Sequence, residues 1–354
     1  MNNPKISVLI PMYNRRHYIE QCINSVLAQT FRDFEIIVID DCSTDDSFEL
    51  VKTKFRDNLE GGVKILRNAQ NLGEFLTTNR LFTEATGKYV LVLHSDDLLM
   101  PYALESLYDV AENCNADVVH SVARLETSED NDVFRSDVNF RQYVHDVRPV
   151  KQITIISDDP LFRFMEWFEG GTFIDTQYNF FNRKFLIDNE IFFNISGRHS
   201  LMCLCWLMFA KVLVKTPIIH YIRRDAADSG TNRRIFSSAE VEKFIALKIE
   251  LSRHMEEYLP KINFFRENPL FQDIAKANVI IDHDNFFIKR LGVYENGISI
   301  DLYQAVKKAF EKYFYKDAFY PALLFHFAHE LQFNRPFEKD FLKLAIFKKG
   351  GKNA

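Results

Sequence analysis

The sequence predicts an α/β fold: a mostly parallel central sheet flanked by helices, with a helical C-terminal region. Three observations predict it. Over the first hundred residues, short apolar runs alternate with stretches of helical period, and that alternation implies parallel strands joined by right-handed crossovers. The short runs are continuous Val, Ile and Leu, which marks strands covered on both faces. From Ser237 onward the strand pattern gives way to apolar stripes at helical spacing.

Ile6 to Ile10 reads as the first buried strand, broken by Pro11-Met12-Tyr13-Asn14. A helix from about His17 to Gln29 follows, with Tyr18, Ile19, Cys22, Ile23, Val26 and Leu27 on one face. Phe34 to Ile39 is the next strand and ends in Asp40-Asp41. Cys42-Ser43-Thr44-Asp45 supplies cap residues for a helix through Phe55. Val63 to Leu66 is the third strand. A third helix starts at Asn71-Leu72-Gly73, runs to about Ala85 and stops at Thr86-Gly87. Lys88 to Leu93 is the fourth strand, and it runs into His94-Ser95-Asp96-Asp97. Pro101, at a favoured first-turn position, opens a helix whose Leu104, Leu107, Tyr108 and Ala111 face inward. Asp117 to His120 is a further short strand.

Glu126 to Val150 is polar and without period, so a long loop is expected. Pro160 to Phe168 reads as a helix, Gly170-Gly171-Thr172 as a break, and Tyr178 to Phe181 as a strand. Leu201 to Val214 is apolar all round, a buried helix running into a strand. Pro217 to Ile222 is expected as a strand and Arg223 to Arg234 as a polar loop. In the last third, Leu302, Ala305, Val306, Ala309, Phe310 and Tyr313 form one helical stripe. Leu324, Phe327, Ala328 and Leu331 form another.

Length and composition set outer bounds. The 354 residues suffice for two domains. A net charge of −5 gives no support for general nucleic-acid binding. No secretory signal is expected at Met1-Asn2-Asn3-Pro4-Lys5, and the longest apolar run, Leu201 to Ala210, is too short to span a bilayer. Five cysteines, an odd number without a framework, suit a reducing cytoplasm. The basic tail Phe337 to Lys352 mixes Lys with Phe, Leu and Ile, which suits a peripheral contact with anionic lipid at the inner membrane face.

The chemistry is narrowed by what the first strands carry. There is no Gly-x-Gly-x-x-Gly, no Gly-x-x-x-x-Gly-Lys-Ser/Thr and no Gly-x-Ser-x-Gly. A dinucleotide dehydrogenase, a phosphate-loop NTPase and an α/β-hydrolase are thereby disfavoured. Acidic pairs remain at two strand ends, Asp40-Asp41 and Asp96-Asp97. Open α/β sheets bind ligands beyond the carboxyl ends of their strands. A carboxylate there can accept from a base N–H or a ribose hydroxyl. Two adjacent carboxylates repel unless a cation such as Mg²⁺ or Mn²⁺ joins them to substrate phosphates. A nucleotide with a diphosphate leaving group satisfies both pairs. A solvated Asp-Asp turn capping the next helix is the other reading of the second pair.

Residues 5–97 resemble the family 2 glycosyltransferases, the inverting family with the nucleotide-binding GT-A fold. The matching strings are ISVLIPMYNRRHYIEQCINSVLAQTFRDFEIIVIDDCSTDDS, NLGEF and EATGKYVLVLHSDD, with weaker likeness at NRKFL (182–186) and YIRR (221–224). The resemblance implies that Pro11, Tyr13 and Asn14 line the nucleotide pocket. It implies that Asp40, with Asp41, binds the base, commonly uracil. Asn71, Gly73 and Asn79 would lie beside base and phosphates. Asp96 would be the metal-binding aspartate, with Asp97 beside it. Arg223, Arg224 and the loop through Ser229 would close over the diphosphate.

Three positions depart from the family pattern. His94 replaces the first aspartate of the Asp-x-Asp motif. It can hydrogen-bond ribose beside Ser95 or ligate Mn²⁺, or simply pack at a strand end. Thr78-Asn79 replaces an Arg-Asn pair. Arg198-His199 stands where an acidic pair normally supplies the catalytic base. His199 suits a base at neutral pH; the competing reading is a helix-start histidine beside another base, with Asp175 and Glu169 in reserve.

The resemblance implies a sugar transferred, with inversion, from a nucleotide diphospho-sugar, a UDP-sugar, to an acceptor hydroxyl of a glycan or lipid-linked acceptor, with Mn²⁺ or Mg²⁺ as cofactor. Residues 1–236 would form the transferase domain, with a donor half at 1–120 and an acceptor half at 150–236. Residues 237–354 would form a helical domain that packs beside it or mediates homo-oligomerisation. Two other classes stay open. A nucleotidyltransferase would need a basic Gly-rich loop where Pro11 to Asn14 stands. A catalytically inactive nucleotide-sugar-binding scaffold is kept open by His94 and His199.

Overall fold

The computed structural model describes residues 3–55, 63–127, 140–144, 148–168, 175–193, 199–224 and 254–276, with backbone alone at 199 and 200. The chain divides into two compact units, Met1–Arg233 and Arg234–Ala354.

In the first unit the early β/α alternation holds. The elements are β1 (Ile6–Met12), α1 (Ile19–Leu27), β2 (Phe34–Asp40), α2 (Ser47–Phe55), β3 (Val63–Arg67), α3 (Glu74–Glu84), β4 (Tyr89–Val92), β5 (Leu98–Leu99), α4 (Ala103–Cys114) and β6 (Val118–Ser121). There follow β7 (Ala123–Thr127), β8 (Arg141–Val144), β9 (Thr154–Ile156), α5 (Pro160–Phe168), β10 (Asn179–Asn182), α6 (Arg183–Asp188), α7 (His199–Phe209), β11 (Leu213–Thr216) and β12 (Tyr221–Arg224).

Among the described residues the main sheet has eight strands in the order β3-β2-β1-β4-β10-β6-β11-β9. The pairs β3-β2, β2-β1, β1-β4 and β6-β11 are parallel, while β10 runs against both β4 and β6 and β9 runs against β11. The sheet is therefore mixed, its parallel part lying where the apolar runs were continuous. Ile36 to Ile39 and Val90 to Leu93 are closed to solvent, as strands covered on both faces must be. α1 turns Ile19, Cys22, Ile23 and Val26 inward, and α4 turns Leu104, Leu107, Val110 and Ala111 inward, all into one core.

Gly87 sets the approach of β4 to β1. A Cβ there would lie 2.6 Å from the Ser7 backbone nitrogen and 2.8 Å from the Ile6 carbonyl carbon. Because the obstacle is backbone, the strands would have to part. Gly87→Ala is expected to lower stability by ~1–3 kcal/mol, the usual cost of overpacking, readable as a fall in urea midpoint at unchanged slope.

Four sequence expectations change. Pro101 lies ahead of its helix, whose cap is Tyr102 and whose first residue is Ala103. The residues before it, Leu98–Leu99, pair with β12 in a second sheet of order β5-β12-β7-β8. The segment 126–150 is not simply a loop: it includes the end of β7 and all of β8, which pair antiparallel. β8 is exposed along its length, so it lacked the alternation that betrays a half-buried strand. The strand expected at 217–222 lies at Tyr221–Arg224, which moves Arg223 and Arg224 out of the loop. β9 is a three-residue edge strand that the sequence reading did not name.

In the second unit the described residues hold a 3₁₀ turn at Leu259–Lys261 and a helix at Asn263–Glu267, with Phe265 buried and Phe264 packed on both Phe265 and Phe271. The stripes at 302–331 and the basic tail lie outside the described residues. Among the described residues no helix is long and apolar enough to cross a membrane.

Candidate active site at the carboxyl ends of the first and fourth strands

The strand order reverses between β1 and β4: β2 and β3 lie on one side of β1, β4 on the other. Such a reversal opens a crevice at the carboxyl ends of the two strands. Pro11 to Asn14 and His94 to Asp97 flank it. The parallel register sets Met12 opposite Asp40 and Asp40 opposite Arg67, so the ends of β1, β2 and β3 are level.

His94 to Asp97 is a tight turn, closed by the Asp97 N–H donating to the His94 carbonyl at 3.0 Å. One ligand atom each from His94, Asp96 and Asp97 lies within 4.8 Å of the others. His94 Nε2 is 3.2 Å from Glu74 Oε1, at the first residue of α3. Asp96 pairs with Arg15 Nε at 3.3 Å. Asp97 is buried and accepts from the Tyr221 hydroxyl at 2.6 Å and the Arg224 N–H at 2.8 Å. Burial disfavours the imidazolium of His94, but its hydrogen bond to Glu74 and the charges of Glu74, Asp97 and Asp96 outweigh that and raise its pKa to about 9. Burial and the charge of Asp96 lift Asp97 to about 6, against the opposing pull of His94, Tyr221 and the Arg224 N–H. Once a cation displaces the extra proton of His94, one imidazole and two carboxylates converging from a single turn form a donor set that fits Mn²⁺ or Mg²⁺.

The side that the resemblance assigns to the nucleotide is closed by internal hydrogen bonds. Pro11 is buried within β1, and Tyr13 stands 43% exposed just beyond it. Asn14, at φ 52°, is a latch: its N–H donates to Ser43 Oγ at 2.9 Å and its Oδ1 accepts from the Thr44 N–H at 2.8 Å. Asp40 is sealed, with Oδ2 bound to Arg67 Nε (3.1 Å) and the Ser43 N–H (3.1 Å). Its Oδ1 is buried with no hydrogen-bond partner. Asp41 organises the next segment: it accepts from the N–H groups of Leu72 and Gly73, each at 2.8 Å, and from Asn68 Nδ2 at 2.7 Å. Asn71 is exposed and donates to the Asp41 carbonyl at 3.3 Å, and Gly73 takes φ 86°. Ser95 is buried in the turn.

Two implied donor residues are turned to internal duty. Asn79 clasps the Phe193 backbone at both ends, its Oδ1 accepting from the Phe193 N–H at 2.8 Å and its Nδ2 donating to the Phe193 carbonyl. Arg224 is buried beneath the acidic turn instead of lying over it. Its Nε donates to the Asp96 carbonyl, Nη1 to Gln21 Oε1 at 2.5 Å and Nη2 to the Tyr18 carbonyl at 3.2 Å. Arg223 is a third exposed and pairs with Glu126 at 3.3 Å. Asp175 is half-buried just ahead of β10, its carbonyl held by Asn179 Nδ2 at 2.9 Å. His199 is the first residue of α7, and only its backbone is described. Ser229 and Glu169 lie outside the described residues.

The sequence reading passed over Arg15, Glu74, Arg67 and Tyr221. Arg15 and Glu74 had a local signal, since each lies inside a matching string, the one opening ISVLIPMYNRR and NLGEF. Tyr221 opens the weaker YIRR likeness, but nothing local points to its partner Asp97, 124 positions away.

A mixed α/β sheet with an acidic turn at the strand-order reversal of its parallel part has the architecture of the GT-A fold. The Glycosyl transferase family 2 model matches residues 7–198, and the chain belongs to that family. It is 38% identical over 128 residues to an uncharacterized glycosyltransferase of Nostoc sp., a match covering 36% of this chain and 38% of the relative. It is 34% identical over 116 residues to the poly(ribitol-phosphate) beta-glucosyltransferase of Bacillus spizizenii, covering 32% of this chain and 18% of the relative. The matched stretch thus spans little more than a third of these relatives' length at most. The fold is shared with S. aureus TarS residues 1–349 in complex with UDP-GlcNAc, at a TM-score of 0.63 and 18% identity, covering 87% of this chain and 80% of that one.

Proposed function

We propose that the protein is an inverting glycosyltransferase that moves a sugar from a UDP-sugar to an acceptor hydroxyl in surface-glycan synthesis, with a divalent cation as cofactor. The observation that carries this reading is the His94, Asp96 and Asp97 cluster at the strand-order reversal, beside the level ends of β1 and β2. Family membership supports it, as do a relative named for glucosyl transfer to poly(ribitol-phosphate) and a fold neighbour bound to UDP-GlcNAc.

His94, Asp96 and Asp97 would hold the cation. Bound there, Mn²⁺ or Mg²⁺ supplies charge neutralisation for a departing diphosphate. Arg15, already at the rim on Asp96, brings a fixed positive charge to the same place. The buried, unpartnered Oδ1 of Asp40 suits the N–H of a uracil base, with Arg67 moving aside to admit it. His199 at the start of α7 is assigned as the base that takes the acceptor proton, with Asp175 as its alternate. Residues 1–236 carry the reaction and 237–354 form a second domain, and the protein acts on the cytoplasmic side.

The test is ligand discrimination. Asp40→Ala is expected to weaken UDP by roughly 10- to 100-fold, the worth of a hydrogen bond to a charged group. Inorganic diphosphate should bind that variant as it binds the parent. Equal losses for both ligands would show that Asp40 serves the fold instead of the base. Turnover of a UDP-sugar by the parent separates an enzyme from a binding scaffold.

A further inference from the structure

The acidic turn closes on one backbone hydrogen bond of its own, from the Asp97 N–H to the His94 carbonyl, but its carboxylates are oriented by a strand more than a hundred residues later. Tyr221, fully buried on β12, uses both capacities of one hydroxyl: it accepts from the His94 N–H at 3.3 Å and donates to Asp97 Oδ2 at 2.6 Å. It therefore ties the first residue of the turn to the last. Three positions on, β12 ends at Arg224, whose N–H donates to Asp97 Oδ1 at 2.8 Å. Both carboxylate oxygens of Asp97 are thus oriented, and each keeps a further lone pair for another partner.

The Arg224 side chain fixes Asp96. Its Nε bonds the Asp96 carbonyl, and the rest of the guanidinium is anchored on Gln21, on the Tyr18 carbonyl and over the Tyr18 ring at 5.0 Å. The residues just after the turn are zipped onto the same strand, Leu98 opposite Ile222 and Leu99 opposite Tyr221.

We propose that Tyr221 and Arg224 are positioning residues of the cation site, holding the Asp96–Asp97 pair in its binding geometry. This rests on the reading of the turn as a cation site. Adjacent carboxylates repel, and an unbraced turn relaxes by rotating them apart. Drawing them back together then subtracts from the cation's binding free energy. Outer partners that orient metal ligands typically contribute 10- to 100-fold in affinity. The roles of Tyr221 and Arg224 differ from that of a ligand, since neither is needed for charge on the cation.

The experiment measures the apparent Mn²⁺ dissociation constant at saturating UDP, by calorimetric titration of MnCl₂ into the full-length protein. Tyr221→Phe removes the hydroxyl and keeps the ring that packs edge-on against Tyr178 at 5.2 Å. Arg224→Lys keeps the backbone N–H to Asp97 but cannot join Asp96 to Gln21. Tyr221→Phe is expected to raise the Mn²⁺ constant roughly 10- to 100-fold, and Arg224→Lys to raise it by less. Val110→Ala, a core change in α4 away from the turn, controls for lost stability and should stay within about twofold of the parent. If both variants keep the parent's Mn²⁺ constant, or if Val110→Ala weakens Mn²⁺ as much as they do, the brace only serves folding and the proposal falls. If the parent's UDP binding does not depend on Mn²⁺ at all, the cation reading fails, and the brace as a cation device fails with it. Should Tyr221→Phe melt below the assay temperature, Arg224→Lys decides alone.

Discussion

Replacing Asp96 by alanine is expected to abolish Mn²⁺-dependent nucleotide binding and leave the fold intact. The asymmetry comes from how little the fold asks of this carboxylate. Its side chain pairs with Arg15 at 3.3 Å, whereas the hydrogen bond that locks the turn uses the Asp96 carbonyl, which alanine keeps. A partly exposed pair of that kind is worth about 0–1 kcal/mol. The cation loses a carboxylate ligand, and the Asp96 charge no longer offsets that of Arg15 at the rim. The loss should therefore exceed the ~10–100-fold typical of outer-partner changes. Thermal shifts with UDP, with and without MnCl₂, read it directly, because a ligand selective for the native state raises the melting temperature by mass action. The variant should keep the parent's unliganded melting temperature within a few degrees of the parent, as expected for the loss of ~1 kcal/mol. A Mn²⁺ enhancement equal to the parent's would remove Asp96 from the cation site.

The parallel half of the sheet was legible because its determinants are local. Continuous Val and Ile runs, helical stripes and the Thr86-Gly87 stop all act within a few residues, and β1, β2, β3 and β4 lie within two residues of where those signals put them. The acidic turn was legible for the same reason: His94 to Asp97 stands where an apolar run ends abruptly. What stayed hidden depends on distant partners. β8 is polar and exposed, and only its pairing with β7 makes it a strand. Asn79 reads as a site residue, yet its amide is matched to the backbone of Phe193, 114 positions on. Arg224 reads as a loop cation closing over the diphosphate, yet four groups on two segments, the acidic turn and the start of α1, hold it under the turn. Side-chain identity announced a polar role in both cases. The partner was set by topology that no local pattern encodes.

Replacing His199 by alanine is expected to cut turnover by ~10²–10⁴-fold, the usual contribution of a general base, with donor affinity nearly unchanged. The position motivates the assignment. His199 opens α7, whose residues from Leu201 to Leu207 are buried and so give the helix start a fixed base. The chain reaches it six residues after Phe193, which Asn79 ties to α3. The pH dependence carries its own sign. An imidazolium cannot accept the acceptor's proton, so parent turnover should rise with pH through about 6 to 7, the ordinary histidine range, and then level off. His199→Ala should lose that ascending limb as well as the rate. A carboxylate base in place of a histidine would put the limb lower, in the ordinary carboxylate range. Fold and donor binding are checked separately by the UDP-dependent thermal shift, which the variant should retain. If His199→Ala stays within about threefold of the parent, the base lies elsewhere. Asp175 and then Glu169 become the substitutions to make, and the parent's own pH limb says which class of group to look for.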